Sequence, residues 1–311
     1  MLRVLMIEKT ALSSYDQGQH ERQEIRQRGN APVNAGFNMF QPQTRQTTWR
    51  IVIRMAELVY HSIVRDIRKT HRNALVGLFL NILQTLMLVL TFFFMFQLLG
   101  MRGSAIRGDF LLYIISGIFL YMTHTKALSA VVSSEGPASP MMQHAPMNTT
   151  IAILAAALSS LYLQILSLVV VLFLYHVAVT PVYIDQPIGA MGMLLAAWFV
   201  GVAIGMVLLA AKPWAPEGVK FLVSVYTRVS MIASGKMFVA NSLPSTMLAL
   251  FDWNPLFHTI DQARGYIFLH YNPHFSSSTY PVYVAVGLLV IGLMGEFYTR
   301  KNASLSWRAG Q

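Results

Sequence analysis

The 311-residue chain contains no cysteine, and only 12% of its residues are charged. Without a thiol, a disulfide framework and a thiolate metal site are both excluded. The shortage of charge excludes more. A water-soluble domain carries about a quarter charged residues, whereas this chain is 55% hydrophobic with a mean hydropathy of +0.50. Lipid, rather than water, is the expected main solvent. The G-x-x-x-x-G-K-[ST] phosphate loop is also missing. Its nearest approach, SGKMF at Ser234–Phe238, lacks both the first glycine at its spacing and the hydroxyl residue, so ATP is not bound by that device. The N-terminal MLRVLMIEKT is apolar for too few residues before Glu8 and Lys9 to read as a secretory signal.

Catalytic patterns are equally thin. No HExxH motif occurs, and His270 and His274, at i and i+4 near His258 and Asp261, are separated by Pro273, which breaks the helix that would align them. Ser160 and Ser167 have no evident base partner and read as hydroxyls bonding between helices. No cofactor of this chain itself is expected.

What is present is a series of long apolar runs. Residues 1–48 are rich in Gln, Arg, Asn and Gly and read as a mobile tail that cannot bury enough apolar area to offset its ordering. Residues 49–74 read as a basic amphipathic helix. Val52, Met55, Ala56, Val59, Ile63 and Ile67 share one face, with Arg50, Arg54, Arg65, Arg68, Lys69 and Arg72 elsewhere. Such a helix suits an anionic inner leaflet, and the same face could dock a cytosolic partner. A crossing helix needs about 20 apolar residues. The candidate spans are Leu75–Leu98, Phe110–Val131, Ile151–Val177, Ile188–Leu209, Phe221–Ala240 and Val282–Phe297. The expected fold is therefore an all-α integral membrane protein, with a six-span domain over residues 75–301 and a tail over 302–311.

Lys and Arg concentrate before the first span, at Lys212 and Lys220, and at Arg300, Lys301 and Arg308. By the positive-inside rule both termini are cytoplasmic. The formal net charge of +10 thus sits where topology requires it, which argues against a nucleic-acid partner. Ser133–Thr149 becomes a cytoplasmic loop, and Asn241–Pro281 becomes the longest outward loop.

Within the spans, Gly201 and Gly205 of GVAIG form a small-xxx-small pair for close packing, inside one chain or between two. Charges inside a span face a partner or a watery cavity, so Arg228 and Lys236 are candidates for a conduit or for a structural ion pair. Aromatic residues crowd two places. Phe92, Phe93, Phe94 and Phe96 lie in the outer half of the first span, and Trp253, Phe257, Tyr266, Phe268, Tyr271 and Tyr280 lie in the outer loop. An interfacial belt explains such clusters, and their flat faces would also suit the C–H faces of a sliding sugar.

The stretch NPLFHTIDQARGYIF, Asn254–Phe268, reads as a short capped helix. Asn254 can accept a backbone N–H bond, and Pro255 fits the first helical position. Leu256, Phe257, Ile260, Ala263 and Ile267 form its apolar side, while Asp261 and Arg264 can pair at i, i+3. Too short to span, it could dip into the outer leaflet as a re-entrant element, either as a structural lid or as a gate. Replacing Arg264 is expected to impair transport without lowering abundance.

The order Arg228, Ser234-Gly235, Phe238, Leu243-Pro244, Asn254-Pro255 and Arg264 resembles the C-terminal signature of ABC-2 type exporter permeases. RDIRKTHRNALVG, Arg65–Gly77, resembles the basic run entering their first span. The resemblance covers about residues 50–300, and in layout it is most similar to the permeases that export capsular and O-antigen polysaccharide. It implies a homodimer, two copies of a separate ATPase holding ATP and Mg, and a polysaccharide or lipid-linked glycan moved across a bacterial inner membrane. It also implies ATPase contacts at Glu135, Pro137, Pro140, Met141, His144 and Pro146 and at Arg65 and Arg68. Asn254, Pro255, Asp261 and Arg264 would form an outer gate, and Phe92, Phe93, Arg228, Lys236, Trp253 and Tyr266 would line a conduit. Lys236 stands where an apolar residue is usual, and Leu80 and Thr85 stand where those exporters commonly have Trp and Pro. An exporter of a drug, lipid or other small molecule is the alternative within the family. An integral-membrane enzyme acting on lipid-linked sugars is the alternative outside it.

Overall fold

A computed structural model of the chain describes residues 48–70, 74–100, 106, 108–134 and 149–302. The expected N-terminal tail before Thr48, the loop carrying Glu135, Pro137, Pro140, Met141, His144 and Pro146, and the expected tail after Asn302 lie outside the described residues. Among those described, the chain is helical with no strand. The elements are α1 (Thr48–Thr70), α2 (Ala74–Leu98), α3 (Phe110–Ser133), α4 (Thr149–Ala178), α5 (Pro187–Ala211), α6 (Pro216–Ala233), a 3₁₀ turn (Ala240–Ser242), α7 (Ser245–Phe251), α8 (Pro255–Ile267) and α9 (Tyr280–Asn302). Five of these, α2, α3, α4, α5 and α9, are long and apolar enough to cross a membrane, which marks a multi-pass membrane protein.

Helix starts follow local chemistry. The Asp109 carboxylate accepts the Leu111 N–H at 2.9 Å and caps α3. Prolines open α5, α6 and α8, where a missing N–H costs nothing and the fixed φ is already helical. The expected cap of α8 is present, because Asn254 Oδ1 accepts the Leu256 N–H at 3.0 Å.

Burial sorts the apolar helices. In their most apolar windows α3 is 83% buried and α5 61%, against 17% for α2, 28% for α4 and 22% for α9. α3 and α5 form the centre, and the other three turn apolar sides such as Phe79, Phe94, Phe173 and Phe297 outward, as lipid-facing surfaces require. The GVAIG glycines account for the closeness of α3 and α5. A Cβ on Gly201 would lie 2.3 Å from the His124 carbonyl oxygen, and one on Gly205 2.9 Å from Val131 Cβ. The small-xxx-small pair therefore works within one chain, as the seam between α5 and α3.

Segments between helices gather at two ends. At one end, Asp109 accepts hydrogen bonds from Tyr175 and Thr180 across the α4–α5 connection. There Gln186 N–H also donates to the Tyr266 carbonyl at 2.8 Å. At the other end, Lys212 Nζ donates to the Val132 carbonyl at 2.7 Å, Thr149 Oγ1 to Glu296 at 2.8 Å and Trp214 Nε1 to Thr299 at 3.0 Å. The predicted outer loops thus meet at the Asp109 end, and the predicted cytoplasmic connections meet at the Lys212 end.

The expected fifth span, Phe221–Ala240, is corrected in its bounds. Its helix is α6, which starts earlier and stops at Ala233, and it is not among the five apolar enough to cross by length and composition. Glu217, Lys220 and Arg228 dilute its hydropathy. Gly235, at φ +73, then turns the backbone left-handed, a conformation that glycine adopts without the Cβ penalty. α6 nonetheless runs antiparallel to α3, with Tyr226 hydroxyl at 2.8 Å from His124 and Lys236 Cα beside Gly117.

Candidate functional site

Two buried cations lie where α3, α8 and the break after α6 meet. Arg264 is fully buried, and its guanidinium donates to three main-chain carbonyls. Nη1 reaches Gly235 O at 2.8 Å and Phe238 O at 2.7 Å, and Nη2 reaches Lys236 O at 2.6 Å. Its plane lies 4.0 Å from the Tyr113 ring centroid. These carbonyls lie past the end of α6, outside its hydrogen-bond ladder, and only that of Gly235 also accepts a main-chain N–H among the described residues, from Phe238 at 3.3 Å. A Cβ on Gly117 would stand 2.9 Å from Nη2, so only glycine leaves the guanidinium room.

Arg264 therefore does not pair with Asp261 as expected; no ion pair joins them among the described residues. Magnitudes explain the choice. An i, i+3 pair on a helix is worth about 0.2–0.5 kcal/mol, whereas hydrogen bonds to a charged group contribute roughly 1.5–3 kcal/mol each. Asp261, also buried, instead accepts from Tyr271 Oη at 2.5 Å, Ser276 Oγ at 2.7 Å and the Ala240 N–H at 3.3 Å. Burial, then the adjacent Asp261 carboxylate, pushes the Tyr271 phenol upward, so it remains a donor. Asp261 and Arg264 each tie α8 to a different stretch of chain.

Lys236 is the second cation, 3% exposed. Its Nζ lies 3.8 Å from the Tyr121 ring centroid and 4.7 Å from that of Phe92, with no hydrogen-bond partner. Aromatic faces attract a cation at this range. Asn254 closes the group, its Nδ2 donating to the Ala233 carbonyl at 3.0 Å. Gly235 sits against Phe257, where a Cβ would come within 2.7 Å of the ring.

Phe92, Lys236, Asn254 and Arg264 are thus brought into one cluster, with Pro255 opening the helix that carries Arg264. The remaining candidates stand apart. Arg228 is exposed on α6, and no ion pair holds it among the described residues. Phe93 is half-buried against Phe110, 6.3 Å between centroids. Trp253 is exposed, its indole N–H donating to the Leu250 carbonyl. Tyr266 packs on Gly189, where a Cβ would meet its ring at 2.5 Å. Arg65 is exposed on α1, and Arg68 lies on the same helix.

α8 itself is no surface lid. Ten of its residues are buried, and it packs against α3, α5 and α9. His258 holds the start of this region. Its Nδ1 accepts the Ser277 N–H at 3.0 Å, which leaves Nε2–H to donate to the Asp252 carbonyl at 2.6 Å. His270 and His274 are not on a helix, and no group of three or more His, Asp or Glu suited to a metal occurs among the described residues.

Tyr113, Gly117 and Tyr121 were absent from the sequence-based candidates. They recur every four residues, one face of a helix, so the stripe was readable although its partners were not. No protein-family model matches the chain, and no curated protein matches it.

Proposed function

We propose that this chain is the membrane subunit of an ATP-driven exporter of the ABC-2 type, acting as a pair with two copies of a separate ATPase. Its cargo is a cell-surface polysaccharide or the lipid-linked form of one, moved outward across a bacterial inner membrane. One observation carries the reading. Part of the set of residues that bears the family resemblance forms one connected unit: Arg264 grips the carbonyls of Gly235 and Phe238, and Asn254 grips the chain just before Ser234, while Arg228 and Leu243-Pro244 stand outside it. Four of the signature's positions, read by order in the sequence, thus also lie together in space.

Topology supports the same reading. α6 begins beside the Lys212 end and leads to Lys236, which lies at the level of Gly117 near the Asp109 end of α3. Counting that passage as a crossing makes six spans, with the Lys212 end and both termini cytoplasmic. α8, wedged among three apolar helices, is then a re-entrant helix at the outer end. Its rigid attachment to the α6 break gives a lever through which motion driven by the ATPase reaches the exit. ATP and Mg belong to the partner, consistent with the missing phosphate loop.

The test is to isolate the full-length chain from its native membranes. A co-purifying chain with a phosphate loop, at equal stoichiometry and two copies of each, is expected. A chain recovered alone, with catalytic activity towards lipid-linked sugars, would favour the membrane enzyme instead.

A further inference from the structure

At the Lys212 end, α1, α2, α3 and α4 line a half-open cavity of about 310 Å³, at the lower edge of the roughly 300–1,000 Å³ typical of small-molecule sites. Its chemistry is unexpected for helices this apolar. Asn81 and Gln84 come from α2, Lys126 and Ser129 from α3, and Gln164 from α4, with Asp66 contributed by α1. Amides on membrane helices are costly unless they bond to one another or face a watery or ligand-filled space. Some are used internally: Asn81 Nδ2 donates to Ser167 at 2.7 Å, Gln164 Nε2 to Asn81 Oδ1 at 3.3 Å and Lys126 Nζ to Gln84 at 2.6 Å. Gln164 Oε1 is not used. This side chain is 2% exposed, and its oxygen has no partner. A buried acceptor left open this way calls for a donor from outside the chain.

We infer that this cavity binds the glycosyl headgroup of a membrane amphiphile, with a sugar hydroxyl donating to Gln164 Oε1 and sugar oxygens accepting from Lys126 and Ser129. A neutral polyol fits because the walls offer donors and acceptors together. The open Gln164 oxygen offers nothing to an anion, and the Lys126 ammonium disfavours a cation. Leu80, exposed where α2 borders the cavity, provides a surface along which an attached hydrocarbon chain can leave into lipid. Identification of the headgroup with the exported glycan rests on the function proposed above, whereas binding itself does not.

Because the chain has no cysteine, a single Ser133→Cys reporter, on the cavity wall but outside the proposed sugar contacts, can be read cleanly. Its maleimide labelling is followed on the full-length protein in phosphatidylcholine nanodiscs, open on both faces, with sub-micellar octyl glucoside, octyl tetraethylene glycol or free glucose. Octyl glucoside should slow labelling about threefold at roughly two-thirds occupancy. A control Leu269→Cys, on the opposite end, should not respond. The protection should vanish with Gln164→Leu and weaken with Gln84→Ala, a change at the exposed rim that leaves the buried amides intact. Equal protection by free glucose assigns a soluble sugar as the source, while dependence on the alkyl chain assigns a lipid-linked one. Equal protection by the glycol amphiphile, or none by any probe, overturns the inference. No ATPase or export is needed, so this result and that of the functional test can fail separately.

Discussion

Arg264 Nη2 donates to the carbonyl oxygen of Lys236 at 2.6 Å, so the two residues that bring a positive charge into the buried cluster are joined directly, side chain to main chain. The arginine's two terminal nitrogens are held by main chain while its Nε has no partner, and among the described residues the lysine ammonium meets aromatic rings without a hydrogen bond. They therefore differ in what their loss should do.

Arg264→Lys keeps the charge but replaces the planar fork by a shorter, compact ammonium that does not reproduce the three-carbonyl grip. The Gly235 carbonyl keeps the Phe238 N–H at 3.3 Å, but each of the Lys236 and Phe238 carbonyls left open costs about 1–3 kcal/mol, a large share of the roughly 5–15 kcal/mol that holds a domain folded. The folded chain should largely disappear from membranes, as read by monodisperse yield. The expectation of transport loss at unchanged abundance is thereby revised. Normal yield of both Arg264→Lys and Arg264→Leu would show that the carbonyl clamp is dispensable.

Lys236→Met should behave oppositely. Two cation–ring contacts are worth about 0.5–2 kcal/mol, and the burial of an ammonium without an acceptor offsets at least that much. Thermal unfolding of the full-length variant should occur within a few degrees of the wild type, or above it. A fall of ten degrees or more would point to an acceptor supplied by a second chain.

Gly201→Val should disrupt the seam between α5 and α3. Its Cβ would meet the His124 carbonyl oxygen at 2.3 Å, and neither partner is a flexible side-chain end. A cost of about 1–3 kcal/mol is expected. Gly192→Ala, with nothing within 4 Å on the same helix, should lose no more than a few tenths and serves as the matched control in the same melting experiment.

The α3 cap should be acid-sensitive. Burial raises the Asp109 carboxyl, but hydrogen bonds from Tyr175, Thr180 and the backbone of Leu111 and Leu112 outweigh it and hold the group below the usual carboxylate range. A depressed group stabilises the fold above its unfolded pKa of about 3.9, and that contribution is lost as pH falls through the lower folded value. Melting temperature should drop between pH 5 and 3, and Asp109→Asn, which keeps an acceptor for the cap, should flatten the drop. An unchanged slope in that variant would assign the acid sensitivity elsewhere.

Legibility of the fold followed the range of the forces. Long apolar runs marked the helices because hydropathy is local, and Asn254-Pro255 marked the start of α8 because a cap depends on adjacent residues. The end of α6 was not readable, since MFVA continues an apolar run past Gly235, and only the backbone shows the positive φ. Pairing Asp261 with Arg264 followed a sound local rule that lost to carbonyls exposed more than twenty residues away. The GVAIG pair announced close packing but not its partner. Tyr113, Gly117 and Tyr121 could have been grouped as a stripe, yet nothing in the sequence said that it faces Arg264 and Lys236.

The central claim is export of a surface glycan, and the most direct measurement is made in a strain lacking this chain. Polymer is quantified on the cell surface and, in parallel, in the cytoplasm. Lost surface polymer with material accumulating inside, reversed by supplying the chain, is the predicted result. Unchanged amounts in both compartments would contradict the account and move the cargo to a drug, a lipid or another small molecule.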